Sequence, residues 1–303
     1  MKLAFTTTVA LAGLTGAAFA ADLPARRAMP PAPAASAACL ETNALPTDVF
    51  GFTTGSDVTD VGAWGGTVTA NGVFTSRSTR VSGVTGVAQV ATGLFRCFEI
   101  APYAFLGGAD ATARGGASGS STAYGGGIEA KYKFLGRDLH GVGATVDLDV
   151  SAGNTRFSGL LGAGTVTSYN VAARLFLDRE LVAGLLYGAL NLEHVSTFSR
   201  VAGVSADASQ FNVRAALSAK VAPNLFVGAE ALYSRTYQDA GYGRFLGDAF
   251  MVGPNMLWAI NDKWTFNAAY QIQVAGKARA LPGDLNLNQY TMHYARVKLA
   301  YAF

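Results

Sequence analysis

From Val61 onward, apolar and polar side chains alternate with a period of two along one stretch after another. In the last stretch Ala295, Val297, Leu299, Tyr301 and Phe303 share one parity, while Arg296 and Lys298 share the other with Ala300 and Ala302. A β-strand sends successive side chains to opposite faces, so each such stretch has one oily face and one watery face. Ile128, Ala130, Tyr132 and Phe134 oppose Glu129, Lys131 and Lys133 in the same way, and Ala144, Val146, Leu148 and Val150 oppose Thr145, Asp147 and Asp149. Phe211, Val213, Ala215 and Leu217 oppose Asn212, Arg214 and Ser218; Trp264, Phe266, Ala268, Tyr270 and Ile272 oppose Thr265, Asn267, Gln271 and Gln273. A soluble sandwich would give this alternation too, so its meaning depends on what surrounds it.

The connections are of two kinds. Short ones are predicted at Gly93–Arg96, Gly136–His140, Asp178–Glu180, Ala222–Asn224 and Asn261–Asp262. Between them fall longer stretches, mostly rich in Gly, Ser and Thr, near Ser76–Arg80, Thr112–Ser121, Gly153–Leu161, Thr197–Ala206, Gln238–Phe245 and Gly276–Leu287. Five short turns and six long loops imply about twelve strands with both termini at the short-turn end, the asymmetry expected of an outer-membrane barrel. Each strand is long enough to cross a bilayer at the usual tilt, for which ~9–11 residues suffice.

The start of the chain supports export. Lys2, an apolar stretch from Leu3 to Ala18 and the small-x-small site Ala18-Phe19-Ala20 read as a signal peptide over residues 1–20. Residues 21–60 form a leader, Pro/Ala-rich over Ala25–Ala38 and expected to be extended in the periplasm as a linker or as a binder of peptidoglycan or a partner. The later Thr47–Thr53 looks more ordered and is a candidate to tuck into the barrel mouth. Residues 61–303 are left for the barrel. The predicted fold is therefore all-β: a closed antiparallel transmembrane β-barrel with an extended periplasmic leader, addressed to the outer membrane of a Gram-negative cell.

Composition narrows the chemistry. Only 14% of residues are charged, and 36 glycines are too many for an ordinary helical domain. Loss of the signal removes one of 23 basic residues, leaving 22 against 20 acids, a formal charge of +2. That near balance gives no nucleic-acid footprint. A charge facing lipid at the midplane costs ~2–4 kcal/mol, so the strand charges are assigned to the lumen. The acids are Glu99, Glu129, Asp147, Asp149, Glu193 and Glu230; the bases are Lys131, Lys133, Arg174, Arg214, Lys220, Arg296 and Lys298. They either pair and seal the barrel or form a constriction for small solutes. Phe134, Phe176, Trp258, Trp264, Tyr301 and Phe303 are expected in an aromatic girdle.

The motifs Asp48–Thr53, Leu177-Asp-Arg-Glu-Leu181, Gly188-Ala-Leu-Asn-Leu192, Gly253-Pro254 and Gln273-Val-Ala-Gly276, together with the signal and leader, resemble porin-like outer-membrane β-barrel proteins of α-proteobacteria. The resemblance spans almost the whole mature chain. It implies a barrel and an outer-membrane address, and it brings no substrate and no catalytic residue. The expected function is a narrow channel for small hydrophilic solutes, with a non-conducting structural barrel as the alternative. An autotransporter translocator also has about twelve strands, but this leader is too short to be a passenger. Expected partners are outer-membrane lipid and lipopolysaccharide and the barrel-assembly machinery, to which Phe303 would serve as the terminal signal.

Other candidate chemistry is sparse. Cys39 and Cys97, both expected on the oxidising periplasmic side, form a disulfide or remain two thiols. His140, His194 and His293 lack metal-ligand spacing, and Gly125–Gly127 is no phosphate loop. No cofactor or metal site is expected. His194 and Ser196 share the lipid-facing parity of one strand near its outer end, and Asp207 lies across the following loop. Serine, base and orienting carboxylate make a nucleophilic set, placed like that of outer-membrane phospholipase A but without its longer motifs. A lipid hydrolase is the less favoured alternative, and the chain is read as a non-enzyme.

Overall fold

The computed structural model describes residues 49–76, 79–159, 161–201, 204–279 and 283–303; the signal peptide and most of the leader lie outside them. The strands are β1 Trp64–Ser76, β2 Thr79–Phe95, β3 Phe98–Ala113, β4 Ser118–Leu135, β5 Gly143–Gly159, β6 Gly164–Val182 and β7 Leu186–Val201. The two-residue β8 Val204–Ser205 is followed by β9 Ala208–Ala222, β10 Leu225–Gln238, β11 Phe245–Ala259, β12 Trp264–Ala278 and β13 His293–Ala302. Each long strand pairs antiparallel with the next, and β1 pairs with β13, so twelve strands close into a barrel. β8 stands outside the ring and pairs only with the end of β7. Closure leaves no unpaired strand edge, the condition for a sheet to exist in lipid.

The burial pattern is that of a soluble protein turned inside out. Leu148, Leu106, Val68 and Leu217 are more than half exposed on the outer face, while Glu99, Glu129, Lys131 and Asp149 are almost fully buried inside. The alternation read from the sequence therefore sets a lipid-facing wall against a polar lumen. Near the end where the termini meet, Trp64, Phe95, Tyr132, Phe134, Trp258, Trp264 and Phe303 project outward as an aromatic girdle. Phe176 does not join them. It has the parity of Arg174 and Asp178 and is buried within the lumen. Towards the loop end the outer face turns polar, with Ser82, Asp110, Ser120 and Ser158 in register across β2–β5.

Several connections differ from expectation. Asp178–Glu180 is wall rather than turn: β6 runs on to Val182, and the chain reverses over residues 183–185. Most loops at the other end are also shorter than predicted. β3 and β4 are joined by Arg114–Ala117 alone, and β5 continues to Gly159. The Gly, Ser and Thr residues that suggested loops there belong to polar wall. Gly125 and Gly153 lie where the Phe105 ring approaches the sheet, and a Cβ would come within 2.5 and 2.7 Å of it.

Candidate functional site

The lumen is filled in three layers. The first is made by Val49–Asp60, the end of the expected leader, which enters the barrel at the terminal end. Val49, Phe50, Phe52, Thr53, Ser56 and Thr59 are all buried there. Phe50 packs with Val49 among Tyr187, Ala189, Ala216, Phe226 and Leu257. Phe52 lies beneath the Arg296 guanidinium, 4.4 Å from ring centroid to carbon.

With no helix or strand of its own, the segment must have its main-chain groups satisfied by the wall. Glu230 on β10 accepts from the backbone N–H groups of Gly51, Phe52 (2.7 Å) and Thr53 (3.2 Å). Asp178 on β6 accepts from the Ser56 N–H at 2.6 Å and its hydroxyl at 2.9 Å. Glu99 on β3 accepts from the Thr59 N–H at 2.7 Å and its hydroxyl at 2.6 Å. Asn191 accepts from the Thr54 N–H and donates to its carbonyl, at 3.3 and 3.1 Å. Carbonyls are met by Asn267 at Phe50, Arg296 at Gly51 (2.9 Å) and Thr145 at Ser56. Asp57 pairs with Lys133 and Arg137, each at 2.6 Å. Burial alone would raise the Asp57 pKa, but these two cations hold it below the usual carboxylate value.

Beyond the segment lies a charged layer around Arg174. Its guanidinium meets Asp147 at 2.6 Å, Glu193 at 2.7 Å, and Glu129 and Asp149 each at 3.4 Å. Neutral donors complete these carboxylates: Tyr103 on Asp149 (2.9 Å), Gln89 on Glu129 (2.9 Å) and Asn212 on Glu193 (2.7 Å). Arg214 approaches Glu193 at 3.6 Å, and Lys131 pairs with Glu99 at 3.2 Å.

The third layer comes from the β12–β13 connection, from which Asn286 and Tyr290 turn inward. Asn286 is wholly buried. Its side-chain amide donates to the Lys277 carbonyl at 3.2 Å, and its backbone carbonyl accepts from Gln273. The Tyr290 hydroxyl meets Ser234 at 2.8 Å and Thr236 at 2.6 Å, beside Leu232, Ala249 and Met251.

The predicted lumen charges fall accordingly. Glu99, Glu129, Lys131, Lys133, Asp147, Asp149, Arg174, Glu193, Glu230, Arg296 and Lys298 are buried inside. Arg214 is also inward, and half-buried Lys220 lies 5.9 Å from the Phe226 ring. Sequence reasoning missed Asp57, Arg137 and Asp178, the last two because they were placed in turns. A parity count carried past Arg174 would have put Asp178 inside.

His194 and Ser196 point outward and lie 3.0 Å apart, but the Ser196 hydroxyl donates to the Ala240 carbonyl at 2.8 Å. Asp207 does not orient the histidine; its carboxylate accepts from the Ser199 N–H at 3.3 Å. The three residues are therefore not assembled as a relay. His293 bonds Tyr270 at 2.6 Å, and His140 ends a single helical turn, Arg137–His140. Cys97 sits in the β2–β3 turn at φ 66°, and no thiol among the described residues is free. Cys39 lies outside those residues. The Phe303 N–H bonds the Trp64 carbonyl, tying the chain end to the start of β1.

An apolar outer wall, a closed antiparallel ring and a polar interior define an outer-membrane type of β-barrel. The chain belongs to DUF6662, a family of unknown function, whose model matches residues 46–303. No curated protein matches the chain. Among solved structures it is similar to the translocator domain of autotransporter NalP from Neisseria meningitidis, with TM-score 0.56, 14% identity, and 82% of this chain and 91% of that one covered. It is similar to an outer-membrane channel from Pseudomonas putida F1 with TM-score 0.54, 9% identity, and 82% and 98% coverage. The β-domain of the Bordetella autotransporter BrkA gives TM-score 0.55, 14% identity, and 80% and 100% coverage. At these identities the likeness is one of fold.

Proposed function

We propose that the protein is a narrow porin-like channel of the outer membrane for small hydrophilic solutes, and that Val49–Asp60 is its stopper. The observation that carries this reading is a polar lumen whose terminal end is filled by a segment held through hydrogen bonds and ion pairs, with Phe50 as its apolar anchor. A wall meant only to be solid would be expected to close on its own side chains. The test is planar-bilayer conductance of the refolded full chain beside Glu230→Ala. Rare openings in the first and frequent ones in the second are expected. Silence in both across a range of salts would leave the second reading, a structural envelope barrel, which the four carboxylates gathered on Arg174 favour.

With this reading go further proposals: the signal peptide, a periplasmic leader, an outer-membrane address among porin-like α-proteobacterial proteins, contact with lipid and lipopolysaccharide, and no enzymatic activity. A Cys39–Cys97 disulfide would pin the leader beside the barrel base, and Phe303 would be read by the assembly machinery. A tag between Val201 and Val204 should be reached by antibody on intact cells, and one at Asn261–Asp262 should not. Release of fatty acid from phospholipid that is lost in Ser196→Ala would overturn the non-enzyme reading.

A further inference from the structure

We infer that the lumen wall around Val49–Thr59 is a peptide-binding site that recognises main chain, with the protein's own segment as resident ligand. The inference rests on the proposed function for the segment's role in the lumen but does not require that it gate conduction. Most of the polar contacts between wall and segment fall on groups every peptide has. Glu230, Asp178 and Glu99 accept backbone N–H groups, Asn191 takes both the N–H and the carbonyl of Thr54, and Arg296 takes a carbonyl. Carboxylates on N–H groups are charge-assisted and about twice as strong as neutral bonds. Because the segment has no helix or strand of its own, these partners lie on the wall, and the recognition of main chain is carried by the barrel.

Selectivity comes from two adjacent positions. Phe50 fills an apolar pocket of Tyr187, Phe226 and Leu257. At Gly51 a Cβ would collide with that of Ala269 and lie 3.0 Å from that of Asn255. The ligand class is therefore a polypeptide segment without helix, carrying an aromatic residue followed by glycine and no proline at the contacted amides. Such a segment can come from this chain or from another. Just beyond the site, Asp60, Val61 and Gly62 are exposed, so the covalent link can be opened without entering the lumen.

The test inserts a protease site between Asp60 and Val61 of the full chain, cuts after refolding, reduces the disulfide at Cys97 so that no covalent link to the barrel remains, and follows the released fragment by gel filtration. The fragment should co-elute with the barrel and be displaced by a labelled synthetic peptide of residues 48–60, read as anisotropy. The same peptide N-methylated at Phe52, which loses one donor to Glu230, should need about tenfold more, the scale of one hydrogen bond to a charged group. A Gly51→Val peptide should fail similarly, whereas Thr53→Val, which keeps the main chain, should compete within about threefold. Equal competition by the N-methylated peptide overturns the proposal. So does a cut barrel that takes up no peptide, or a fragment that neither leaves nor exchanges, since it would then be core rather than ligand. Conductance of the same samples separates the two ideas: exchange without openings sinks the stopper alone, and openings without exchange sink the peptide site alone.

Discussion

At the terminal end of the lumen, Val49–Asp60 is held by carboxylates that accept main-chain N–H groups and by the Asp57 ion pairs. At the loop end, residues 283–292 are held by neutral groups: Tyr290 on Ser234 and Thr236, and Asn286 on a carbonyl. Both closures bury polar groups with partners, as buried polar groups require. They differ in what can undo them. Charge-assisted bonds are stronger but respond to protonation and to loss of one partner, whereas hydroxyl and amide bonds do not titrate in the physiological range. The segment where the chain enters is thus the one that protonation or loss of a single partner can release.

The layer between them offers the harshest break. Arg174→Ala would leave Asp147, Glu193, Glu129 and Asp149 without their shared cation, and stranding buried charge costs about 3–5 kcal/mol. A marked fall in the temperature at which the heat-modifiable band converts on gels is expected, and an unchanged temperature would mean that water already serves these carboxylates. Next comes Glu230→Ala, which deprives Gly51, Phe52 and Thr53 of their acceptor. An orphaned buried donor costs about 1–3 kcal/mol. Amide hydrogen exchange should therefore quicken roughly tenfold or more at these three residues and stay unchanged at Tyr290.

A third test uses pH. The Asp57 pKa lies below its unfolded value of 3.8, so its contribution is complete above that value and is lost as pH falls through the folded one. Proteolysis at the buried Phe50 and Phe52 should quicken below about pH 4, while the loop end keeps its protection. The smallest effect is expected from Tyr290→Phe, about 0.5–1.5 kcal/mol for its hydrogen bonds, with no change at the terminal end. Loosening of Val49–Asp60 in that variant would show the two closures to be one unit.

Much of the fold was legible because lipid outside and charge inside impose the same period of two on every strand. The parity of Lys131 and Lys133 against Tyr132 and Phe134 placed four residues in a few positions of sequence. Turn chemistry was less reliable: Asp178-Arg-Glu180 looks like a turn, yet Asp178 faces a resident peptide that no local pattern reveals. Val49–Asp60 has no periodicity because it forms neither strand nor helix, and only Phe50-Gly51-Phe52 hinted at order. The His194–Ser196 proximity was readable from spacing, but the partners of Asp207 and Ala240 depend on loop paths, which spacing does not encode.

The polar row Ser82–Asp110–Ser120–Ser158 on the outside of the wall has a consequence for reach. A strand of 18 residues such as β4 rises about 45 Å along the barrel axis at ~3.3 Å per residue and ~40° tilt, whereas the apolar band needs about 25 Å. Roughly 20 Å of β-sheet therefore stands clear of the hydrocarbon as a turret. Its crown carries a polar outer face of sheet beyond the apolar band, so contacts at that end can fall on strands as well as on loops.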